Sequence, residues 1–192
     1  MLRRGFKKEA HALAREVRAD LGLIPVDPLD PFALAAFLEI PVYPISDLGD
    51  GAAAAVRHLS ERDPSAFSAV TIFEGMRKTI WHNDGHAPVR QRSNLAHEIA
   101  HALLFHTPGS DPDPVRARPW DRTAEDEAQW LGGALLVSDE AALALARAGT
   151  DLVSGAARYG VSTEMLTYRL NVTGAVIRAQ RSKRWASSHV DR

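Results

Sequence analysis

The sequence predicts an α+β fold in which a small twisted sheet, antiparallel or mixed, packs on a central helix and is followed by a C-terminal helical bundle. Three observations carry this. Apolar residues recur at helical spacing near the N-terminus and again over residues 91–106. Between them, residues 41–83 hold β-branched and aromatic residues in two concentrated runs. After residue 123 the pattern is helical almost throughout.

In order along the chain, Phe6, Ala10, Leu13, Ala14, Val17 and Leu21 make one apolar stripe and predict a helix over residues 5–21, ended by Gly22. The Ile24-Pro25-Val26-Asp27-Pro28 stretch is an extended connector, because each proline pushes the residue before it away from helical backbone. A short helix follows from Pro31 to Leu38, its proline tolerated in the first turn. Val42, Tyr43 and Ile45 predict a first strand and Ala52–Val56 a weak second one. Phe67–Phe73 and Thr79–Trp81 predict a hairpin turning at Glu74-Gly75-Met76. Residues 91–106 predict the central helix, and Thr107–Asp121, with four prolines and a glycine, a long loop that invites a functional role. Helices are expected over 123–137, 139–148, 151–159 and 162–171. The expected organisation is a core over residues 1–138, a helical, helix-turn-helix-like region over 139–177 packed on it, and a flexible basic tail over 178–192.

Composition narrows the chemistry. The 192 residues carry a formal net charge of −1, which demands no polyanionic partner. Cysteine is absent, which excludes disulfides, thiolate metal sites and a cysteine nucleophile; a metal must use His, Asp or Glu. The N-terminus has no apolar secretory core and no run reaches the length of a membrane span, so a cytoplasmic protein without a membrane partner is expected.

The motif that carries chemistry is His97-Glu98-Ile99-Ala100-His101, an H-E-x-x-H sequence inside the predicted central helix. Residues four apart stand one above the other on a helix, so two imidazoles there can reach one Zn²⁺ at about 2.0–2.1 Å. Glu98 lies about 100° around the axis, placed to activate a water at the metal as general base and then to deliver the proton to a leaving amine. Apolar neighbours from Leu95 to Leu104 mark the helix as buried, where unpartnered imidazoles would be costly.

A third ligand is needed, and Glu125, Asp126 and Glu127 are the candidates. Glu127 shares a helical face with Trp130, Leu131 and Ala134, a stripe that must face the core, whereas Glu125 points toward Gly132 and Leu136. Glu127 is therefore the expected ligand, and Glu125 and Asp126 are read as acids favoured at a helix N-terminus.

The ordered set of motifs resembles the ImmA/IrrE family of metallo-endopeptidases. The similar segments are Pro25-Val26-Asp27-Pro28 through Ile40-Pro41-Val42, Thr79–Asn83, Arg90–Arg92 with Leu95–Leu104, Glu127-Ala128-Gln129 with Leu135-Leu136, and Tyr159–Ser162 with Arg169-Leu170. Gln129, Leu131-Gly132 and Val137-Ser138 stand where that family usually has Asn, Phe-Ala and Met-Pro. The resemblance implies a zincin-like metalloprotease fold and one Zn²⁺ per chain, with Mn²⁺ or another divalent metal as substitutes. Its implied substrate is a helix-turn-helix (XRE-type) repressor, whose cleavage relieves repression in a stress response or a mobile element. The alternative is a catalytically quiet, protease-like module that binds and sequesters the repressor.

His82, Asn83 and His86 just precede the zinc helix and are candidates for contact with substrate or with the oxyanion of the transition state. His106 falls off the ligand face and suits a helix end. The strand at Phe67–Phe73 offers an edge for a peptide backbone. Gly160-Val161-Ser162 resembles the corner of a helix-turn-helix, but Arg169 is the main basic residue on the following helix, which favours a packed corner over direct DNA binding.

Overall fold

A computed structural model describes residues 2–75, 77–106 and 122–190. The fold is mixed, with helices dominant and one three-stranded sheet. Helices α1 (Phe6–Asp20) and α2 (Pro31–Phe37) come first. Asp30 caps α2 by accepting from the Phe32 N–H, with Pro31 in the first turn as its sequence requires. Strand β1 (Val42–Pro44) then runs parallel to β3 (Arg77–His82), and β2 (Ala69–Glu74) pairs antiparallel with β3 through a turn at Gly75, where φ is +63°. The order β1-β3-β2 leaves β2 on an edge of the sheet. Met76 and the proline-rich stretch 107–121 lie outside the described residues.

Residues 52–56 are not a strand. Ala53–Arg57 form helix α3, preceded by a 3₁₀ turn at Asp50–Ala52 and continued by a wide turn at His58–Arg62. Four consecutive alanines favour helix and offer a sheet no side chains to pack.

Helix α4 (Pro88–Leu103) carries the H-E-x-x-H motif and begins three residues earlier than expected, because Pro88 is itself the first-turn proline. Helix α5 (Arg122–Leu136) packs along α4 on one side and against α1 on another, so that from Glu127 to Leu136 every residue except Gln129 is buried. Helices α6 (Asp139–Ala148), α7 (Leu152–Tyr159), α8 (Thr163–Val172) and α9 (Ala175–Val190) follow and pack on one another. Ser138, Asp151 and Ser162 cap α6, α7 and α8 with side-chain oxygens. Residues 178–190, expected as an unstructured tail, belong to α9. Ala175 and Ala179, one turn apart, are buried, and Arg178 Nη1 donates to both oxygens of Asp139 at 2.7 and 2.9 Å. Among the described residues no helix is long and apolar enough to cross a membrane.

Two buried arginines fasten the C-terminal end of α5. Arg18 from α1 donates to the carbonyls of Ala134 and Leu135 at 3.3 and 2.7 Å, and Arg169 from α8 donates to that of Val137 at 2.9 Å. Cations at a helix C-terminus offset the exposed carbonyls there. Arg169 is fully buried beside Trp130, so it belongs to the core rather than to a DNA-facing surface.

Candidate metal centre

The site begins with the contact between α4 and α5. Gly132 lies against α4, where an added Cβ would stand 3.2 Å from the Ala96 carbonyl and the His97 nitrogen. With the backbone of Ala96 opposite, the two helices approach closely. Glu125 lies seven residues before Gly132, two turns away on the same face. It is therefore Glu125 that α5 delivers to the histidines.

His97 Nε2 and His101 Nε2 are 3.1 Å apart. The Glu125 carboxylate completes the group, with Oε2 at 3.2 Å from His97 Nε2 and Oε1 at 3.6 Å from His101 Nε2. Among the described residues these three are the only cluster of histidines and acids close enough to share an ion. Ligands set tetrahedrally about zinc at about 2.0–2.1 Å stand about 3.3–3.4 Å from one another. The observed separations bracket that edge length, so the donor set fits a zinc-sized cation. The side chains of His97, His101 and Glu125 remain 25, 16 and 33% exposed, which leaves one side of the group open.

Burial pushes the His101 imidazole down to about 4, with the neighbouring His97 acting in the same direction and Glu125 opposing both. At neutral pH the ring is uncharged, the form a metal ligand requires.

Glu127, the acid expected to join the histidines, lies elsewhere. It sits about 200° around α5 from Glu125, facing α1. Arg3 Nε stands 3.0 and 3.3 Å from its two oxygens, and His106 Nε2 is 3.7 Å away. Its burial was correctly inferred from the stripe with Trp130 and Ala134. That stripe packs on α1, and the glycine face packs on α4. The signal that separates the two faces is Gly132, the small residue that permits close approach.

Glu98 points away from α5 toward the sheet. Its Oε2 accepts from Thr71 Oγ1 of β2 at 2.6 Å, a short, charge-assisted bond to the edge strand. Nothing in the sequence singles out Thr71, because only the register of β2 brings it over α4. Lys78 of β3 donates to the Ala102 carbonyl at 3.2 Å, tying the other end of the helix to the same sheet.

Asn83 and His86 are hydrogen-bonded within the loop before α4. Asn83 Nδ2 donates to the carbonyls of Leu59 and Phe67, at 2.8 and 3.2 Å, and His86 Nε2 lies 2.6 Å from the Pro64 carbonyl. Asn94 and Gln91 of α4 hold His86 from the other side. These residues clamp residues 58–67 against the start of α4. His82 is buried at the end of β3, edge-on to Phe32, and burial lowers its pKa.

The α7–α8 corner is likewise internal. Gly160, at φ +60°, gives its carbonyl to Arg92 Nε of α4, and a Cβ there would meet that nitrogen at 2.7 Å. Arg92 also bonds Asp30 and the Leu29 carbonyl, so one side chain joins α4, the α2 cap and the α7–α8 turn.

Residues 50–171 match a family model, Peptidase_M78, described as the IrrE N-terminal-like domain. No curated protein matches the chain. The matched segment contains His97, Glu98, His101 and Glu125, and excludes α1, α2 and all of α9.

Proposed function

The chain belongs to the Peptidase_M78 (IrrE N-terminal-like) family, and from that premise we propose that it is a zinc-dependent endopeptidase whose substrate is a helix-turn-helix (XRE-type) repressor. The observation that carries the peptidase reading is the convergence of two imidazole nitrogens and one carboxylate at tetrahedral spacing, with a second carboxylate one residue along the same helix. His97, His101 and Glu125 would hold the ion. When bound, a divalent metal supplies Lewis acidity that lowers the pKa of a water and polarises the scissile carbonyl.

The chain's own residues do the rest. Glu98 is not consumed as a ligand, so its carboxylate is free to take a proton from the attacking water and hand it to the departing amine. Thr71 orients that carboxylate through Oε2, leaving Oε1 for the water. Because Thr71 sits on edge strand β2, a peptide that adds to this edge by backbone hydrogen bonds lies next to the proton-transfer group. The zincin-like arrangement of helix, sheet edge and second ligand helix suits an extended peptide better than a small ester or amide.

The test is metal content and cleavage measured together. Full-length chain, dialysed against Zn²⁺ and then against buffer, should retain about one equivalent, as should Glu98→Gln. Cleavage of a peptide library read by mass spectrometry should fall about 10²–10⁴-fold in Glu98→Gln, the range for loss of a general acid–base group. Equal cleavage by both would end the mechanism, and absence of cleavage by either, with zinc bound, would favour a sequestering module. The repressor is tested separately, by incubating the zinc-loaded chain with purified helix-turn-helix (XRE-type) repressors from the same organism. An intact repressor alongside cleaved library peptides would refute that substrate alone.

A further inference from the structure

We infer that His106 and Glu127 are positioning residues of the metal centre, forming with Arg3 a train that fixes the tautomer and orientation of His101. The inference rests on the metal reading above and concerns only what stands behind the ligand.

His101 presents Nε2 to His97 and Glu125, so Nδ1 is the nitrogen left to carry the ring proton. His106 Nδ1 lies 3.1 Å from it. Two ring nitrogens at that distance share a single proton. If His101 donates it, His106 must accept through Nδ1 and keep its own proton on Nε2. His106 Nε2 lies 3.7 Å from Glu127 Oε2, beyond direct hydrogen-bond distance, and Arg3 Nε stands 3.0 and 3.3 Å from the two oxygens of that carboxylate. Glu127 is 4% exposed, a depth at which an ionised carboxylate needs such partners. With the protons so placed, the donor nitrogens of both rings lie on the side away from the metal centre, toward the buried Glu127. Metal-ligating histidines generally need an acceptor of this kind to settle which nitrogen faces the ion.

The train is built by the way α4 ends. Phe105 adopts a left-handed conformation, φ +54°, uncommon for a residue with a side chain. It closes a helix-terminating turn in which His106 N–H bonds the His101 carbonyl at 3.0 Å and Phe105 N–H bonds that of Ala102 at 3.4 Å. Such a turn folds the second residue past the helix onto the last full turn, here His106 onto His101. Two acids of α5 then serve one histidine from opposite sides, Glu125 at Nε2 and Glu127, through His106, at Nδ1.

The test is zinc affinity of the full-length chain, measured by competition with a chelator. His106→Phe keeps a ring and removes both nitrogens; it should bind zinc 10- to 100-fold more weakly, the range for lost outer partners of metal ligands. The melting temperature of its metal-free form should be unchanged. Glu127→Gln, which keeps an acceptor oxygen, should bind more tightly than Glu127→Leu, which keeps none. In the zinc-loaded wild type, ring-nitrogen NMR should place the proton of His101 on Nδ1 and that of His106 on Nε2. Affinities within twofold of wild type for both His106→Phe and Glu127→Leu, or a His106 protonated on Nδ1, would overturn the train. If His106→Phe does not fold, the wild-type tautomer decides alone. A wild-type chain that binds no zinc defeats the metal reading instead, and a chain that binds zinc without this dependence defeats only the train.

Discussion

Glu98 and Thr71 meet at 2.6 Å, and that contact shows how much a single side chain can decide. A carboxylate on a helix swings among rotamers; a hydroxyl from a rigid strand selects one. Replacing Thr71 with Val keeps the shape and removes the donor. Loss of one hydrogen bond to a charged group, about 1.5 kcal/mol, should lower kcat about tenfold. KM and zinc affinity should stay near wild type, as steady-state kinetics and chelator competition would check. The same scale separates the acids of α5. Glu125→Ala should lose zinc on dialysis, because two imidazoles alone hold it weakly, and equal retention of zinc by that variant would place the third ligand elsewhere. The pentapeptide motif made His97, Glu98 and His101 legible at once, since helical spacing alone sets their mutual positions. The choice between Glu125 and Glu127 was not legible from amphipathicity, because both faces of α5 are buried.

At the scale of elements, the site exists because α4 and α5 can touch backbone to backbone. Gly132→Ala would place a methyl 3.2 Å from the Ala96 carbonyl and the His97 nitrogen, so one helix must give way. Overpacking of this kind costs about 1–3 kcal/mol, and here it also pulls Glu125 from the histidines. A lower melting temperature together with weaker zinc binding is expected; a stability loss with unchanged zinc affinity would mean that the two helices yield elsewhere. Strands β2 and β3, helices α1 and α2 and the capped helices α6 to α8 were all readable, because each carries its own local signal: periodicity, a proline in the first turn, a serine or aspartate cap. Two elements were misread for opposite reasons. The alanine run at 52–55 was assigned by its place within a strand-rich region rather than by its propensity. Residues from 178 on are read as a tail by their charge, whereas Ala175 and Ala179 supply a small apolar seam that packs α9 down.

For the whole molecule, the relevant quantities are buried charge and proton linkage. In the metal-free chain, His101 has its pKa lowered by burial from an ordinary 6.5 to about 4, and burial also lowers His82 and His11. Between about 6.5 and about 4 the unfolded chain therefore binds more protons than the folded one. Stability should be full above about 6.5 and should decline as pH falls toward 4. Melting curves in the presence of a chelator would follow this, and His101→Phe should flatten part of the slope. Zinc should raise the melting temperature at neutral pH, since an ion that binds only the folded chain stabilises it in proportion to the logarithm of its concentration over Kd. No shift at saturating zinc would contradict a preformed site.

Read by itself, the chain specifies a mixed fold, a helix bearing two stacked imidazoles with a carboxylate beside them, and a chemistry without thiols, because these follow from period, spacing and composition within short stretches. Which acid joins the histidines, which threonine orients Glu98, and that Asn83, His86, Gly160 and Arg169 act as structural fastenings depend on contacts between segments distant in sequence. Those contacts are set by how closely two backbones approach and by strand register, and neither quantity is written in any one segment.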